Sequence, residues 1–431
     1  MRGPTSTALL TDHYELTMLD AALSDGTAQR QCVFEVFARR LPAGRRYGIV
    51  GGTARVLDAI QRFRFGEDEL RLLAENRIVH PDTLDWLANY AFHGDADGYP
   101  EGELYFPGSP LFTVRGTFAE AVLLETVVLS IFNHDSAIMS AAARMVSAAN
   151  GRPIIEMGGR RTHEDAAVAA ARAAYLAGFA STSNLEAGRS HGIPTAGTCA
   201  HAFTLLHDSE HAAFTAQVKQ LGTMTTLLVD TYDITRGIET AIEVAGPELG
   251  AIRIDSGDVG VLARQAREQL DRLGARNTKI VVSGDLDEYA IAALRAEPVD
   301  AYGVGTSLVT GSGAPTAGMI YKLVEVDGRP VAKRSSHKES RGGRKAAIRR
   351  HKSTGTALEE VVYVVGGTDP EPGEHDRRLQ VPLLRGGEPV ADPPTLEESR
   401  QRVRQGLVSL PWEGLKLSHG EPAIPTVHVD Q

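Results

Sequence analysis

Between residues 154 and 306 the chain repeats one local pattern seven times, a short apolar run followed at once by a small polar cluster. Ile154-Ile155 precede EMGGRR, Ala177 to Phe179 precede STSN, Pro194 to Ala196 precede GTCAH, and Leu227 to Val229 precede DTYD. Ala251 to Ile254, Lys279 to Val282 and Ala301 to Val304 then precede DSGD, SGDLDE and GT. Alanine-rich stretches with helical spacing lie between most of these runs, at Asp165 to Leu176, Gly237 to Val244, Val259 to Leu273 and Leu286 to Leu294. Strand-length runs alternating with helices read as parallel βαβ units. The pattern predicts an α/β chain built on an irregular (β/α) barrel of about seven parallel strands. In such a barrel the carboxyl ends of the strands form the active-site face, so the seven clusters are expected to meet in one pocket. An open doubly wound sheet gives the same alternation but rarely loads almost every strand end with polar residues.

The flanks read differently. Residues 1–118 mix β-rich runs (Cys32 to Phe37, Leu111 to Val114) with helical stretches such as Glu67 to Glu75 and form an N-terminal lobe. From Ala119 to Asn150 apolar residues fall at helical spacing until Gly151 and Pro153 stop the run, so the barrel segment is drawn as 119–320. In the remaining 321–431, Lys322 to Lys352 carries eleven Lys or Arg against Glu325, Asp327 and Glu339, either a solvated loop or a phosphate-facing edge. After Gly366 the chain is rich in Pro, Gly and charge, an irregular tail with a short helix near Glu397 to Gln405.

A balance of 45 basic against 55 acidic residues, net −10, argues against a nucleic-acid partner, so any anion must be bound locally. Two cysteines, Cys32 and Cys199, fit a reducing compartment. The first residues lack a basic-then-apolar leader, and the most apolar stretch, Phe118 to Phe132, is cut by Glu120 and Glu125. The expectation is a cytoplasmic protein with no membrane partner.

Within the clusters, Gly303-Val304-Gly305-Thr306 offers backbone N–H groups and a hydroxyl, and Ser283-Gly284 ends the preceding strand; together they suit one phosphate, singly each is an ordinary turn. Arg253 and Asp255 share a strand face by alternation and point into the barrel mouth, as a structural ion pair or, with Asp258, as a site for sugar hydroxyls or Mg²⁺. His201 closes GTCAH, where it is either a structural residue or a group that takes and gives a phosphoryl. Arg160-Arg161 form a surface pair or a fork for a carboxylate or diphosphate. His207, Asp208, Glu210 and His211 have helical metal-ligand spacing but no evident third ligand. Tyr14 and Arg39-Arg40 matter only if the N-terminal lobe covers a site.

The ordered set LTDHYELTM (Leu10 to Met18), FEVFARRLP (Phe34 to Pro42), EMGGRR, STSN, GTCAH, DTYD, RIDSGD, SGDLDE, GVGT, YKLVE (Tyr321 to Glu325) and KRSSHK (Lys333 to Lys338) resembles the nicotinate phosphoribosyltransferase family. The resemblance implies an enzyme joining nicotinate to the ribose of 5-phosphoribosyl 1-pyrophosphate, giving nicotinate mononucleotide and pyrophosphate in NAD salvage. ATP hydrolysis would be coupled through a phosphohistidine, and ATP and Mg²⁺ would be the cofactors. The implied fold is an irregular barrel with an open-faced α/β lobe, in a homodimer whose sites are completed by the neighbour's lobe. Carried onto this sequence, the catalytic residues are His201, Asp255 and Asp258. Those for nicotinate are Tyr14, Arg161, Ser183, Thr198 and Arg253. Those for the phosphoribosyl donor are Arg40, Ser283, Gly284, Gly303, Gly305 and Thr306. Metal ligands are not assigned. Ser181 and Gly342-Gly343 depart from the family pattern, which usually has Gly and Pro-Gly there, and neither touches the chemistry.

The nicotinamide-using relative shares this fold but tends to carry Asp where this chain has Ser183, and a carboxylate there would repel nicotinate. A quinolinate-using enzyme would need more clustered basic residues. Asp230 and Asp255 could be the acid pair of a barrel glycosidase, which leaves GVGT unused. A phosphosugar-binding regulator would keep the phosphate cradle without the partners of His201.

Overall fold

The alternation of residues 154–306 becomes a six-stranded parallel sheet. Its order is Ser181–Thr182, Ile154–Glu156, Ala301–Val304, Lys279–Val282, Ala251–Ile254, Thr226–Leu228. This is a computed structural model, and it describes residues 5–333, 341–367 and 369–429. Ile252, Ile254, Ile280, Val282, Tyr302 and Val304 are all fully buried and, by register and alternation, share one face of this sheet, the face opposite Arg253. Crossover helices follow where the alanine-rich stretches lie, at Glu164–Ala177, Ile234–Ala245, Val259–Arg272 and Glu288–Ala293. On Val259–Arg272 the buried Ala263, Ala266 and Leu270 sit at i, i+3 and i+7, one face of a helix turned to the sheet. Gly237 permits the closest approach: a Cβ there would lie 2.3 Å from the carbonyl oxygen of Val229.

The expected barrel is met in part: the described residues give a parallel half-barrel of six strands, and Pro194 to Ala196 adds one isolated parallel bridge, Thr182 to Thr195, beside Ser181–Thr182. Pro194 has no N–H to extend a ladder, and Gly197 follows at once. One expectation is corrected in position. Ala177 ends a helix capped by Gly178 at φ 126°, so the strand falls on Ser181–Thr182, inside the polar cluster.

Contacts divide the chain into two units, Ile138–Gly313 and the combination of Met1–Ala137 with Ala314–Gln431. The helix Glu125–Ala149 runs through one of these divisions. The helical run Phe118–Ala149 has the length and apolarity of a membrane span, but 67% of its most apolar window is buried in the protein, as in a core helix.

The unit holding both termini contains a seven-stranded antiparallel sheet, with Gln31–Ala38 between Met319–Val326 and Phe112–Thr117. Alternation along Gln31–Ala38 sends Phe34, Val36 and Ala38 into the main hydrophobic core, where Phe34 stacks on Tyr321 at 4.9 Å. Glu35, between them, is buried and accepts a 2.9 Å bond from Lys345 Nζ. The helix Glu67–Glu75 forms where its spacing predicts it.

The tail after Gly366 is less irregular than its composition suggests. Val381–Arg385 joins the seven-stranded sheet, Thr426–Val429 joins a four-stranded sheet beside Ala357–Val364, and the helix extends over Leu396–Ser409. The basic run also changes meaning, because Lys322, Lys345, Arg349 and Arg350 are paired with Glu125, Glu35, Glu103 with Glu360, and Glu359. These four cations hold carboxylates of their own unit. Arg334 to Lys338 of the KRSSHK motif lie outside the described residues.

Candidate active site

Each parallel strand delivers its polar residues at its carboxyl end, and on one side of the half-barrel they converge. Arg253, the one polar side chain on Ala251–Ile254, is the hub. Its Nε donates to Ser283 Oγ at 3.0 Å, its Nη1 to Thr198 Oγ1 at 3.2 Å, and its Nη2 stands 3.4 Å from Asp255 Oδ1. The Ser283 hydroxyl donates in turn to that same Asp255 oxygen. A guanidinium held on three sides keeps a fixed plane, which an ammonium could not.

His201 opens the helix His201–Leu206 and faces the same cluster. Its Nδ1 is 3.1 Å from Thr231 Oγ1, and its Nε2 is 3.9 Å from Asp230 Oδ1 and 4.0 Å from Asp255 Oδ2. The ring is 40% exposed while the Asp230 side chain is 1% exposed, so a reagent can reach the imidazole from outside with carboxylates behind it. Asp230 Oδ2 accepts from the Asp255 backbone N at 2.8 Å and the Ser256 hydroxyl at 2.7 Å. Asp230 Oδ1 is buried with no hydrogen-bond partner, an uncommon state for an interior carboxylate oxygen.

The glycine turns are sterically required. Gly284 has φ +99°, and a Cβ there would lie 2.4 Å from the carbonyl oxygen of Asp255. At Gly303 a Cβ would lie 2.8 Å from the Met157 sulfur. Gly284→Ala is expected to destabilise the protein by about 1–3 kcal/mol and to displace Asp255, since αL strain and a backbone clash act together. A melting curve beside a steady-state assay checks this, with both values predicted to fall.

Behind the EMGGRR turn, the buried Glu156 accepts from Thr182 Oγ1 at 2.5 Å and from the Gly158 N–H. Burial raises its pKa, and these two hydrogen bonds partly oppose the rise. The Thr182 hydroxyl also receives the Asn184 N–H at 2.9 Å, so the first two polar clusters are fastened together.

The structure thus unites Thr198, His201, Arg253, Asp255 and Ser283 in one hydrogen-bonded and charged cluster, with Gly284 beside Asp255. It does not bring Asp258 into it: that carboxylate caps the helix Val259–Arg272 by accepting from Val261 N at 3.1 Å. Arg161 and Ser183 are exposed, fixed through their backbone N–H groups to Gly158 and Glu156. Gly303 and Gly305 bracket the end of Ala301–Val304, and the exposed Thr306 starts the single turn after it. Tyr14 and Arg40 are exposed residues of the other unit. Burial and then the Glu125 carboxylate raise the Tyr14 pKa, so its hydroxyl stays neutral. Among the described residues no group of three or more potential ligands could hold a metal; His207 instead bonds the Phe203 carbonyl at 2.8 Å.

Sequence reasoning placed Asp230 only in a rejected acid pair and gave Thr231 and Glu156 no role. The signal for Asp230 was available, because it follows its strand in DTYD much as Asp255 follows its own in DSGD.

A parallel sheet whose carboxyl edge gathers a fixed guanidinium, a histidine, two carboxylates and glycine turns defines an α/β enzyme acting on a small anionic substrate. Residues 9–133 match the nicotinate phosphoribosyltransferase (NAPRTase) N-terminal domain. The chain is 67% identical over 426 residues to nicotinate phosphoribosyltransferase pncB1 of Mycobacterium tuberculosis, covering 97% of this chain and 94% of that protein. It is 38% identical over 338 residues to the nicotinate phosphoribosyltransferase of Bacillus subtilis, covering 76% and 69%. The structure of human nicotinic acid phosphoribosyltransferase superposes with a TM-score of 0.84 at 27% identity, over 97% of each chain. The chain belongs to the nicotinate phosphoribosyltransferase family.

Proposed function

We propose that this protein works in the cytoplasm and joins nicotinate to 5-phosphoribosyl 1-pyrophosphate, forming nicotinate mononucleotide and pyrophosphate, the step by which nicotinate enters NAD salvage. The observation that carries the reading is Arg253, a guanidinium fixed by Thr198 and Ser283 at the mouth of the sheet. A planar fork so held suits the carboxylate that nicotinate has and nicotinamide lacks. Ser183 supports the same choice, as it leaves that position uncharged.

Departure of pyrophosphate builds positive charge on the ribose, so the protein must orient the pyridine nitrogen against C1′ and stabilise both charges. Asp255, turned toward the cluster by Ser283, complements the ribose charge. Gly303, Gly305, Thr306 and Gly284 offer N–H and hydroxyl donors for the donor's 5-phosphate, while Ser283, whose N–H and hydroxyl serve Ile254 and Asp255, shapes the turn beside them. Arg40 offers charge for the diphosphate, and Arg161 for the nicotinate carboxylate or the diphosphate. No general base is required, because the pyridine nitrogen carries no proton to remove.

Mg²⁺ prefers carboxylate and water oxygens, and the unpartnered Asp230 oxygen with Asp255 would hold it; when bound it would neutralise the departing diphosphate. His201 would take the terminal phosphoryl of ATP on a ring nitrogen, releasing ADP, and later yield it to water as phosphate, with Asp230 and Asp255 balancing the positive ring. The added charge beside the pocket would bias how it holds the donor. In this reading Pro194 to Ala196 acts as the seventh stave of an irregular barrel. Two copies would pair so that Tyr14 and Arg40 of each complete the other's site.

The test is mononucleotide formation from nicotinate or nicotinamide, with donor and Mg²⁺, with and without ATP, in wild type and His201→Ala. Product from nicotinate only, stimulated by ATP only in wild type, is expected. Product from nicotinamide would overturn the substrate assignment, and ATP stimulation of His201→Ala would overturn the phosphohistidine.

A further inference from the structure

At the opposite edge of the parallel sheet, where the strands begin, lies a cavity of about 500 Å³ that the proposed reaction does not use. It is formed by Arg152 ahead of Ile154–Glu156, Thr278 and Lys279 at the start of Lys279–Val282, and Asp300 ahead of Ala301–Val304. Arg267 of the helix Val259–Arg272 and Arg276 of the following loop complete it. Four of these six residues are cationic in a chain whose net charge is −10.

Their charges are only partly answered. Lys279 Nζ is 3.2 Å from Asp300 Oδ1, and Arg267 Nη2 is 2.7 Å from Asp271 Oδ1. Asp300 is further tied down by the Ile280 N–H at 2.8 Å. Arg152 spends its Nη donors on the carbonyls of Leu294, Arg295 and Glu297 and on the Tyr302 hydroxyl, none of them a carboxylate. Its charge is therefore solvated but not neutralised. Arg276 is exposed and has no ion-pair partner among the described residues. Four cations against two carboxylates leave an excess of two positive charges around one concavity.

The second observation is Thr278. It is 1% exposed, and its Oγ1 is buried with no hydrogen-bond partner. A buried hydroxyl without a partner is costly, and one lining a cationic cavity is satisfied if it donates to an anion there.

We propose that this cavity binds a phosphate-class oxyanion of about diphosphate size, with the Thr278 hydroxyl donating to it and Arg276, Lys279 and Arg152 supplying the charge. The site stands on its own geometry and does not depend on the identity of the reaction at the other edge. A diphosphate fits better than a single phosphate, because the cavity exceeds the volume of one phosphate severalfold.

The experiment titrates inorganic pyrophosphate, and separately ATP, into the full-length protein by calorimetry, using wild type, Arg276→Glu and Thr278→Val. Wild type is expected to show a binding component that Arg276→Glu abolishes and that Thr278→Val weakens about tenfold, the usual scale for a lost hydrogen bond to a charged group. Thr278→Val should melt no lower than wild type, since it removes an unsatisfied hydroxyl at constant shape. Steady-state turnover should be unchanged in both variants, which separates this component from any product site at the carboxyl edge. A component that takes pyrophosphate but not ATP identifies a free diphosphate, and one that takes both identifies the polyphosphate group in general. Identical isotherms for the three proteins would overturn the proposal.

Discussion

Arg253→Ala is expected to lower kcat/KM for nicotinate by roughly 10²–10³, with most of the loss in KM for nicotinate rather than for the donor. Truncating one partner of a hydrogen-bonded, largely buried charge pair costs about 2–5 kcal/mol, and each 1.4 kcal/mol is tenfold. Arg253 meets that description: its side chain is 13% exposed and it serves Ser283, Thr198 and Asp255 at once. Without it, Asp255 keeps only the Ser283 hydroxyl as a side-chain donor, and a carboxylate would face the substrate's carboxylate with no cation between them. Arg253→Lys separates charge from geometry. Lysine keeps the charge, but a point ammonium cannot hold three partners in a plane, so a loss of at least about tenfold should remain. Melting should change little in either variant, because Ile252 and Ile254 on the opposite strand face supply the packing. Full activity in Arg253→Lys would remove the guanidinium plane from the account of nicotinate recognition.

Strand geometry makes this cluster largely legible in the sequence. Period-two alternation put Arg253 and Asp255 on one face, and the rule that parallel strands carry their sites at the carboxyl end drew Ser283, Thr198 and His201 toward them. What alternation cannot give is hydrogen-bond direction. Asp258, three residues beyond Asp255, looked like its partner, but the next helix needed an N-cap and took it. Asp230 was overlooked for the complementary reason: its role is created by the Asp255 backbone N–H and the Ser256 hydroxyl of the adjacent strand end, neither of which shows in local spacing. The tail failed differently. Val381–Arg385 and Thr426–Val429 are short strands among Pro and Gly, and they are strands because they find edges 283 or more residues away in one case and 66 in the other, beyond the reach of propensity.

The basic run gives the largest expected effect on stability. Arg349 is fully buried between Glu103, 2.5 Å from its Nη1, and Glu360, 2.7 Å from its Nη2. Arg377 bonds Glu103 at 2.9 Å, and the Tyr99 hydroxyl donates to Glu360 at 2.8 Å. Arg349→Ala is expected to destabilise by about 3–5 kcal/mol, because it strands two buried carboxylates rather than because the ion pairs are strong in net terms. The pH dependence separates those causes. Burial pushes Glu103 up, but the Arg349 charge and the bonds from Arg377 and Arg349 outweigh it and hold the carboxyl down at about 2. A depressed folded pKa stabilises above the ordinary value near 4.5 and is lost as pH falls through about 2, so wild type should weaken on acidification over that range. In Arg349→Ala burial is opposed only by Arg377 and the Leu104 N–H, the carboxyl takes a proton at higher pH, and the gap from wild type should narrow between pH 7 and pH 5. Urea denaturation at those two pH values measures it. A gap that stays constant would assign the loss to the cavity left by the side chain instead of to unpaired charge.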